Sequence, residues 1–248
     1  VSTIEIPVTR ASQSKINQVD FQNIQFGKIY SDHMFIADYD GKQWGDLRIE
    51  PFENLTMSPA TSVLHYGQSI FEGLKAYKNE AGEAMIFRPD RNAARFNKSA
   101  VRMCMPEIPE DIFLNGLREL IKLDQDWVPD RVGTSLYIRP FMIATDEYIG
   151  VRPSQTYRFM IFTGPVGAYY RKPGKVKVEK QFVRAADGGT GVAKTAGNYA
   201  GSLYPAQLAV QEGYDQLMWT DAKENKYIEE AGTMNLMLVI DNTLLTPP

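Results

Sequence analysis

Residues 187 to 207 read "DGGTGVAKTAGNYAGSLYPAQ", and the role of Lys194 within them decides what kind of protein this is. Gly188 to Thr195, "GGTGVAKT", stands one residue away from a phosphate-cradling P-loop, with Ala193 where G-x-x-x-x-G-K-[ST] has its second glycine. Such a cradle needs backbone amides that curl round phosphate oxygens, and a Cβ at position 193 obstructs the curl. No metal-binding aspartate at the end of a later apolar strand accompanies the loop. A second reading is a lysine in a solvated surface loop, as most lysines are. Against it, Gly191, Val192, Ala193, Thr195, Ala196 and Gly197 are all small and uncharged. No acid stands beside Lys194 to hold it as an ammonium, and a neutral amine attacks a carbonyl where an ammonium does not. The third reading is a lysine that does covalent chemistry.

The rest of the chain narrows the field. Its 248 residues suit one large domain or two modest ones, and 44% hydrophobic with 23% charged residues is ordinary for a globular protein. A formal net charge of −3 gives no reason to expect nucleic acid or an anionic membrane as partner. The most basic stretch, "YYRKPGKVKVEK", alternates valines with charges and reads as a solvated strand after a linker. Cys104 is the only cysteine, which excludes an internal disulfide and fits a reducing, cytoplasmic setting. His33 and His65 are the only histidines and no H-E-x-x-H occurs, so no metal site is expected. No G-x-S-x-G supports a serine hydrolase. The N-terminal "VSTIEIPVTRASQSK" lacks the apolar core of a signal peptide, and no uncharged apolar run approaches the ~18 residues of a membrane span.

Residues 26–50 predict strands joined by the turn Asp40-Gly41. After the strand "EAMIFRPD", Asp90 is placed to cap a helix with Ala93, Phe96, Ala100 and Val101 on one side. Pro109 suits the first turn of the next helix, where Ile112, Phe113, Leu117, Leu120 and Ile121 recur at helical spacing. "TSLYIRPFMIAT" and "YRFMIFTGPV" are strong strands. "GPVGAYYRKPG", residues 164–174, holds three glycines and two prolines and predicts a hinge. A strand, the glycine-rich loop, a helix ending near Gly213 and two strand pairs follow. The mixture predicts an α+β architecture in two domains: 1–163 the smaller, 164–174 the connecting loop, and 175–248 part of a larger one. The chain stops in "TLLTPP", straight after a strand, and reads as part of a longer one.

A lysine holding pyridoxal 5′-phosphate as a Schiff base needs an acid for the pyridine nitrogen, a donor to the phenolic oxygen and partners for the phosphate. "HYGQSIFEGLKAY" (65–77), "FRPDRNAARF" (87–96), "SLYIRP" (135–140), "GPVGAYY" (164–170), "KTAGNYAGS" (194–202) and "EEAGTMNL" (229–236) occur in that order. Together they resemble the branched-chain amino acid aminotransferases, fold-type IV pyridoxal phosphate enzymes with a smaller N-terminal α/β domain and a larger C-terminal domain built on a barrel-like sheet. The resemblance runs from "FGKIYSDHM" to "LLTPP". The family pattern continues beyond that point, with a threonine-containing turn for phosphate and substrate carboxylate, so the larger domain is incomplete here.

The resemblance implies that Lys194, in K-x-x-x-N-Y, binds the cofactor covalently and shuttles the substrate proton. It assigns Tyr199 to the phenolic oxygen, Glu230 to the pyridine nitrogen and Arg95 to the phosphate. Without it, Tyr199 reads as a core tyrosine, Arg95 as a solvated helix arginine, and Glu230 and Glu229 as acids on an exposed strand, on opposite faces. Phe26, Tyr66, Phe71, Tyr137 and Tyr169 match pocket aromatics, Arg139 the arginine that reaches a glutamate carboxylate, and Thr233 a threonine near the substrate; core packing competes for the aromatics. The implied partners are branched-chain L-amino acids, 2-oxoglutarate and a second copy of the chain. A D-amino acid aminotransferase, an aminodeoxychorismate lyase and a non-catalytic dimerising remnant are the rivals.

Overall fold

The computed structural model describes residues 4–168 and 173–246, which divide between two units, Val1–Tyr169 and Tyr170–Pro248. In the first, β1 (His33–Tyr39) and β2 (Trp44–Pro51) run antiparallel. Between them the Asp40 carboxylate accepts from the amides of Lys42 and Gln43 while Gly41 takes φ +97°. Then come α1 (Val63–Tyr66), β3 (Ser69–Phe71), β4 (Leu74–Lys78), β5 (Ala84–Ile86), α2 (Pro89–Arg102), α3 (Glu110–Leu123), β6 (Ser135–Ala144) and β7 (Tyr157–Val166). These strands make a seven-stranded sheet in the order β2-β1-β7-β6-β4-β5, with β3 also paired to β6. Residues Gly164, Pro165 and Val166, anticipated as connector, form the end of β7 opposite Tyr137, Leu136 and Ser135. A Cβ at Gly164 would overlap the Ile29 carbonyl oxygen, so only glycine lets that segment lie so close to the strand.

Strand alternation sorts the sheet into two faces. Leu136, Ile138 and Met142 of β6, Phe159 and Ile161 of β7 and Phe35 of β1 join the apolar stripes of α2 and α3 in one buried cluster. Each large side chain so buried is worth about 1.5–3 kcal/mol. Ala93, Phe96 and Ala100 supply the stripe of α2, but Val101 is 62% exposed, because one residue is 100° of helical rotation away from Ala100. Asp90 lies inside the first turn of α2 rather than at its cap: the helix begins at Pro89, behind Arg88 at φ +48°. There the carboxylate still faces the positive helix end. Pro109 likewise caps α3 rather than starting it. Gly116 brings α3 against β1, since an added Cβ would lie 2.5 Å from the Phe35 ring.

In the second unit, β8 (Val176–Glu179) and β9 (Gln216–Thr220) are parallel, connected by a chain segment that contains α4 (Ala196–Gln211). A parallel pair requires such a crossover, and here it carries the Lys194 loop. β10 (Ile228–Ala231) adds antiparallel to β9, and β11 (Leu238–Ile240) pairs with β12 (Thr243–Leu245). Ala209, Leu217 and Trp219 form a small buried cluster. Between β9 and β10 the exposed Asp221 carboxylate accepts from the amides of Tyr227, Lys226, Glu224 and Lys223. Those bonds, that of Tyr227 foremost, pull its pKa down to about 2. Among the described residues no helix is long and apolar enough to cross a membrane.

Gly116→Ala is expected to lower the unfolding free energy by about 1–3 kcal/mol, because Phe35 has no room to retreat. An unchanged urea midpoint would refute that packing account. Asp221→Ala is expected to loosen the β9–β10 connection, seen as faster amide hydrogen exchange at residues 223–227. The native carboxylate titrates below its unfolded value, so its stabilisation is complete above about pH 4. It fades as pH falls through about 2, and the difference in Tm between wild type and variant should close over that window.

Candidate active site

Lys194 immediately precedes Thr195, the extended N-cap residue of α4 (φ −118°, ψ 149°). Its neighbours Ala193 and Thr195 are buried. The loop before it folds on itself: the Gly189 amide donates to Ala186 O and the Ala193 amide to Thr190 O. Those amides are therefore spent within the loop rather than gathered round an anion, unlike a P-loop. Side chains in the first helical turn lean back toward the N-terminus. Tyr199 does so, and Lys194 Nζ donates to its hydroxyl at 2.8 Å.

Glu230 lies on β10 opposite Trp219. Ile228 pairs with Thr220, so Glu229 is an extra residue in the ladder, a bulge in place of the regular alternation anticipated for this acid pair. Arg184 Nε stands 3.3 Å from Glu230 Oε2, with the arginine 15% and the glutamate 47% exposed. Arg184 Nη1 also donates to Gly191 O, 3.3 Å away in the lysine loop. Gly191 lets this loop lie against Ala185, for a Cβ there would sit 2.5 Å from that of Ala185. Thr233 Oγ1 accepts from Gln216 Nε2 at 2.9 Å.

On the first unit, the sheet face turned away from α2 and α3 bounds a cavity of about 430 Å³. Alternation on β6 delivers Tyr137, Arg139 and Phe141 to it, with Phe71 from β3, Phe162 from β7 and Phe26 from the preceding loop. The Arg139 guanidinium lies 4.4 Å from the Phe71 ring centroid, and its Nη2 donates to Tyr137 Oη at 2.8 Å. Phe26 meets Tyr137 edge-on at 5.4 Å. Gly73 leaves room for that tyrosine, because a Cβ would stand 2.6 Å from its hydroxyl. Aromatic walls with one cation can receive either an aliphatic chain or a carboxylate. Tyr66, on the exposed rim of α1, is not among the lining residues, and Tyr169 falls outside the described residues.

Arg95 is held by the carboxylate of Glu72, through Nε at 2.6 Å and Nη2 at 2.8 Å. The glutamate side chain is fully buried while that of Arg95 is 56% exposed. Asn92 Nδ2 and the Gly73 amide complete the donors to Glu72, so a buried charge is fully paired. Sequence reasoning passed over Glu72, Arg184 and Asn198. An acid between apolar residues in "SIFEGL" was the available signal for Glu72; Arg184 gave none, since its partners lie across a loop and a strand.

Residues 69–248 match the amino-transferase class IV family. The chain is 48% identical to branched-chain-amino-acid aminotransferase 2 of Bacillus subtilis, over 99% of this chain and 68% of that protein. It is 45% identical to the branched-chain-amino-acid aminotransferase of Mycolicibacterium smegmatis, over 100% and 68%. A branched-chain amino acid aminotransferase structure from Escherichia coli superposes with a TM-score of 0.66 at 26% identity, covering 88% of this chain and 66% of that one. A T.th. branched-chain amino acid aminotransferase complexed with N-(5′-phosphopyridoxyl)-L-glutamate gives 0.67 at 26%, covering 85% and 65%. The chain thus spans about two thirds of the length of these relatives. Its α+β fold and its sequence together make it a member of the amino-transferase class IV family.

Proposed function

We propose that this chain acts as a pyridoxal 5′-phosphate-dependent branched-chain amino acid aminotransferase. It moves the amino group of L-leucine, L-isoleucine or L-valine to 2-oxoglutarate, giving the branched 2-oxo acid and L-glutamate. The observation that carries the reading is the 2.8 Å bond from Lys194 Nζ to the Tyr199 hydroxyl, in a loop of small residues. The names of the similar proteins support the substrate class. When bound, the cofactor supplies an aldehyde carbon for attachment to an amine and a ring that withdraws electrons from the substrate Cα.

The chain's own groups fit that cofactor chemistry. Lys194 would be the attachment point, and its amine would take the substrate Cα proton and return it. Tyr199 has its hydroxyl beside that amine, the position required for a partner of the phenolic oxygen. Glu230 would pair with the pyridine nitrogen, and Arg184 Nε stands 3.3 Å from its carboxylate. Arg95 would be the phosphate ligand, its guanidinium oriented by Glu72 through Nε and Nη2. In the cavity, Phe26, Phe71 and Tyr137 wall off water from an aliphatic chain, and Arg139 pairs with the distal carboxylate of glutamate. Tyr66, Tyr169 and Thr233 contribute further substrate contacts on this reading. The assembly is a homodimer; exposed Leu64 and Tyr66 on α1 support an interface there.

Lys194→Ala is expected to abolish borohydride-fixed cofactor, read by intact mass, and to lower kcat by about 10²-fold or more. Labelling of the variant at another lysine would overturn the assignment. Glu230→Gln should slow transamination far more than it weakens cofactor binding, and an unchanged kcat would remove its role. Steady-state rates with L-leucine, D-alanine and aminodeoxychorismate test the substrate class: only the first is expected to turn over efficiently.

A further inference from the structure

We infer that Asn198 is a positioning residue that fixes the backbone of Lys194 while its neighbour Tyr199 fixes the amine. The inference rests on the reading of Lys194 given above. The Asn198 carboxamide reaches from the first turn of α4 back into the lysine loop with three hydrogen bonds. Its Oδ1 accepts from Thr190 Oγ1 at 2.7 Å, and its Nδ2 donates to Thr190 O at 2.9 Å and to Ala193 O at 2.8 Å. The Ala193 carbonyl belongs to the peptide group whose nitrogen is that of Lys194. Holding that oxygen sets the peptide plane, and with it the direction in which the Lys194 side chain leaves the backbone. Consecutive helical residues diverge by 100°. Position 198 therefore turns to the loop while position 199 turns to the amine, where Nζ meets the Tyr199 hydroxyl at 2.8 Å.

The staple requires a carboxamide. Two donors on one nitrogen satisfy two carbonyls, and the companion oxygen accepts a hydroxyl. Aspartate has the same shape but turns a lone pair toward Thr190 O and Ala193 O, which repels both. A loop of this composition, with Gly188 at φ +78° and Gly189 and Gly191 nearby, has high intrinsic freedom. Without the staple the lysine samples many directions, and covalent capture of an aldehyde loses its preset geometry.

The test compares wild type, Asn198→Asp and Asn198→Ala in the full chain. Amide hydrogen exchange without cofactor reads the loop: Ala193, whose N–H donates to Thr190 O, should exchange on the order of tenfold faster in both variants. Borohydride-fixed cofactor, followed against time at limiting pyridoxal 5′-phosphate, reads the lysine. Its rate should fall on the order of tenfold in both variants, with Asn198→Asp the worse, while the cofactor-free Tm changes little. Wild-type exchange at Ala193 in the variants would overturn the staple, whatever the cofactor does. Faster exchange with wild-type fixation would overturn its bearing on Lys194. Absence of fixation at Lys194 in the wild type would instead overturn the reading of the lysine, and the positioning role with it.

Discussion

A strand must send successive side chains to opposite faces, and in the first unit this constraint makes core and cavity inseparable. β6 gives Leu136, Ile138 and Met142 to the buried cluster and Tyr137, Arg139 and Phe141 to the cavity. Its ladder with β7 is continuous from Ser135–Val166 to Ala144–Tyr157, with no bulge to absorb a shift. A slip of one residue would bury Arg139 among phenylalanines and expose Ile138. The apolar packing that stabilises the sheet therefore also fixes where the cavity-lining Arg139 stands. Gly73 and Gly164 serve the same arrangement, each yielding the space that Tyr137 and the Ile29 carbonyl occupy.

The second unit solves a different problem, because its chemistry sits on a loop. A crossover between parallel strands supplies a helix start, and Thr195 ends the loop in extended conformation before α4 begins. Rigidity then has to come from side chains reaching back. Asn198 binds Thr190 and Ala193, Arg184 reaches Gly191, and Tyr199 meets the lysine itself. Gly191 also lets the loop lie against Ala185, where a Cβ would collide.

Much of this was legible in the sequence, for physical reasons. Long apolar alternation announced β6 and β7, and helical spacing announced α3, because burial imposes both periods directly. Helix starts were less legible: Asp90 stands two residues past the cap of α2, and Pro109 is the cap of α3 rather than part of its first turn. At the site, Lys194 stood out through the smallness and neutrality of its neighbours. Glu230 could be named only through the ordered motifs, and the bulge at Glu229 upset the simple two-residue rule used for its neighbour. Partners such as Arg184 and Glu72 depend on contacts distant in sequence that no local pattern encodes.

The two carboxylate–arginine pairs show how burial divides the labour between acid and base. Glu72 is fully buried, with donors from Arg95, Asn92 and Gly73, so it has no capacity left for a ligand. It acts as an anchor that orients Arg95, the exposed member of the pair. In the other pair the order is reversed: Arg184 is the sheltered member and Glu230 the exposed one. Desolvation makes the sheltered partner costly to strip of its ion-pair mate. One pair thus presents a cation and the other an acid, opposite polarities obtained from the same ion pair by choosing which side faces out.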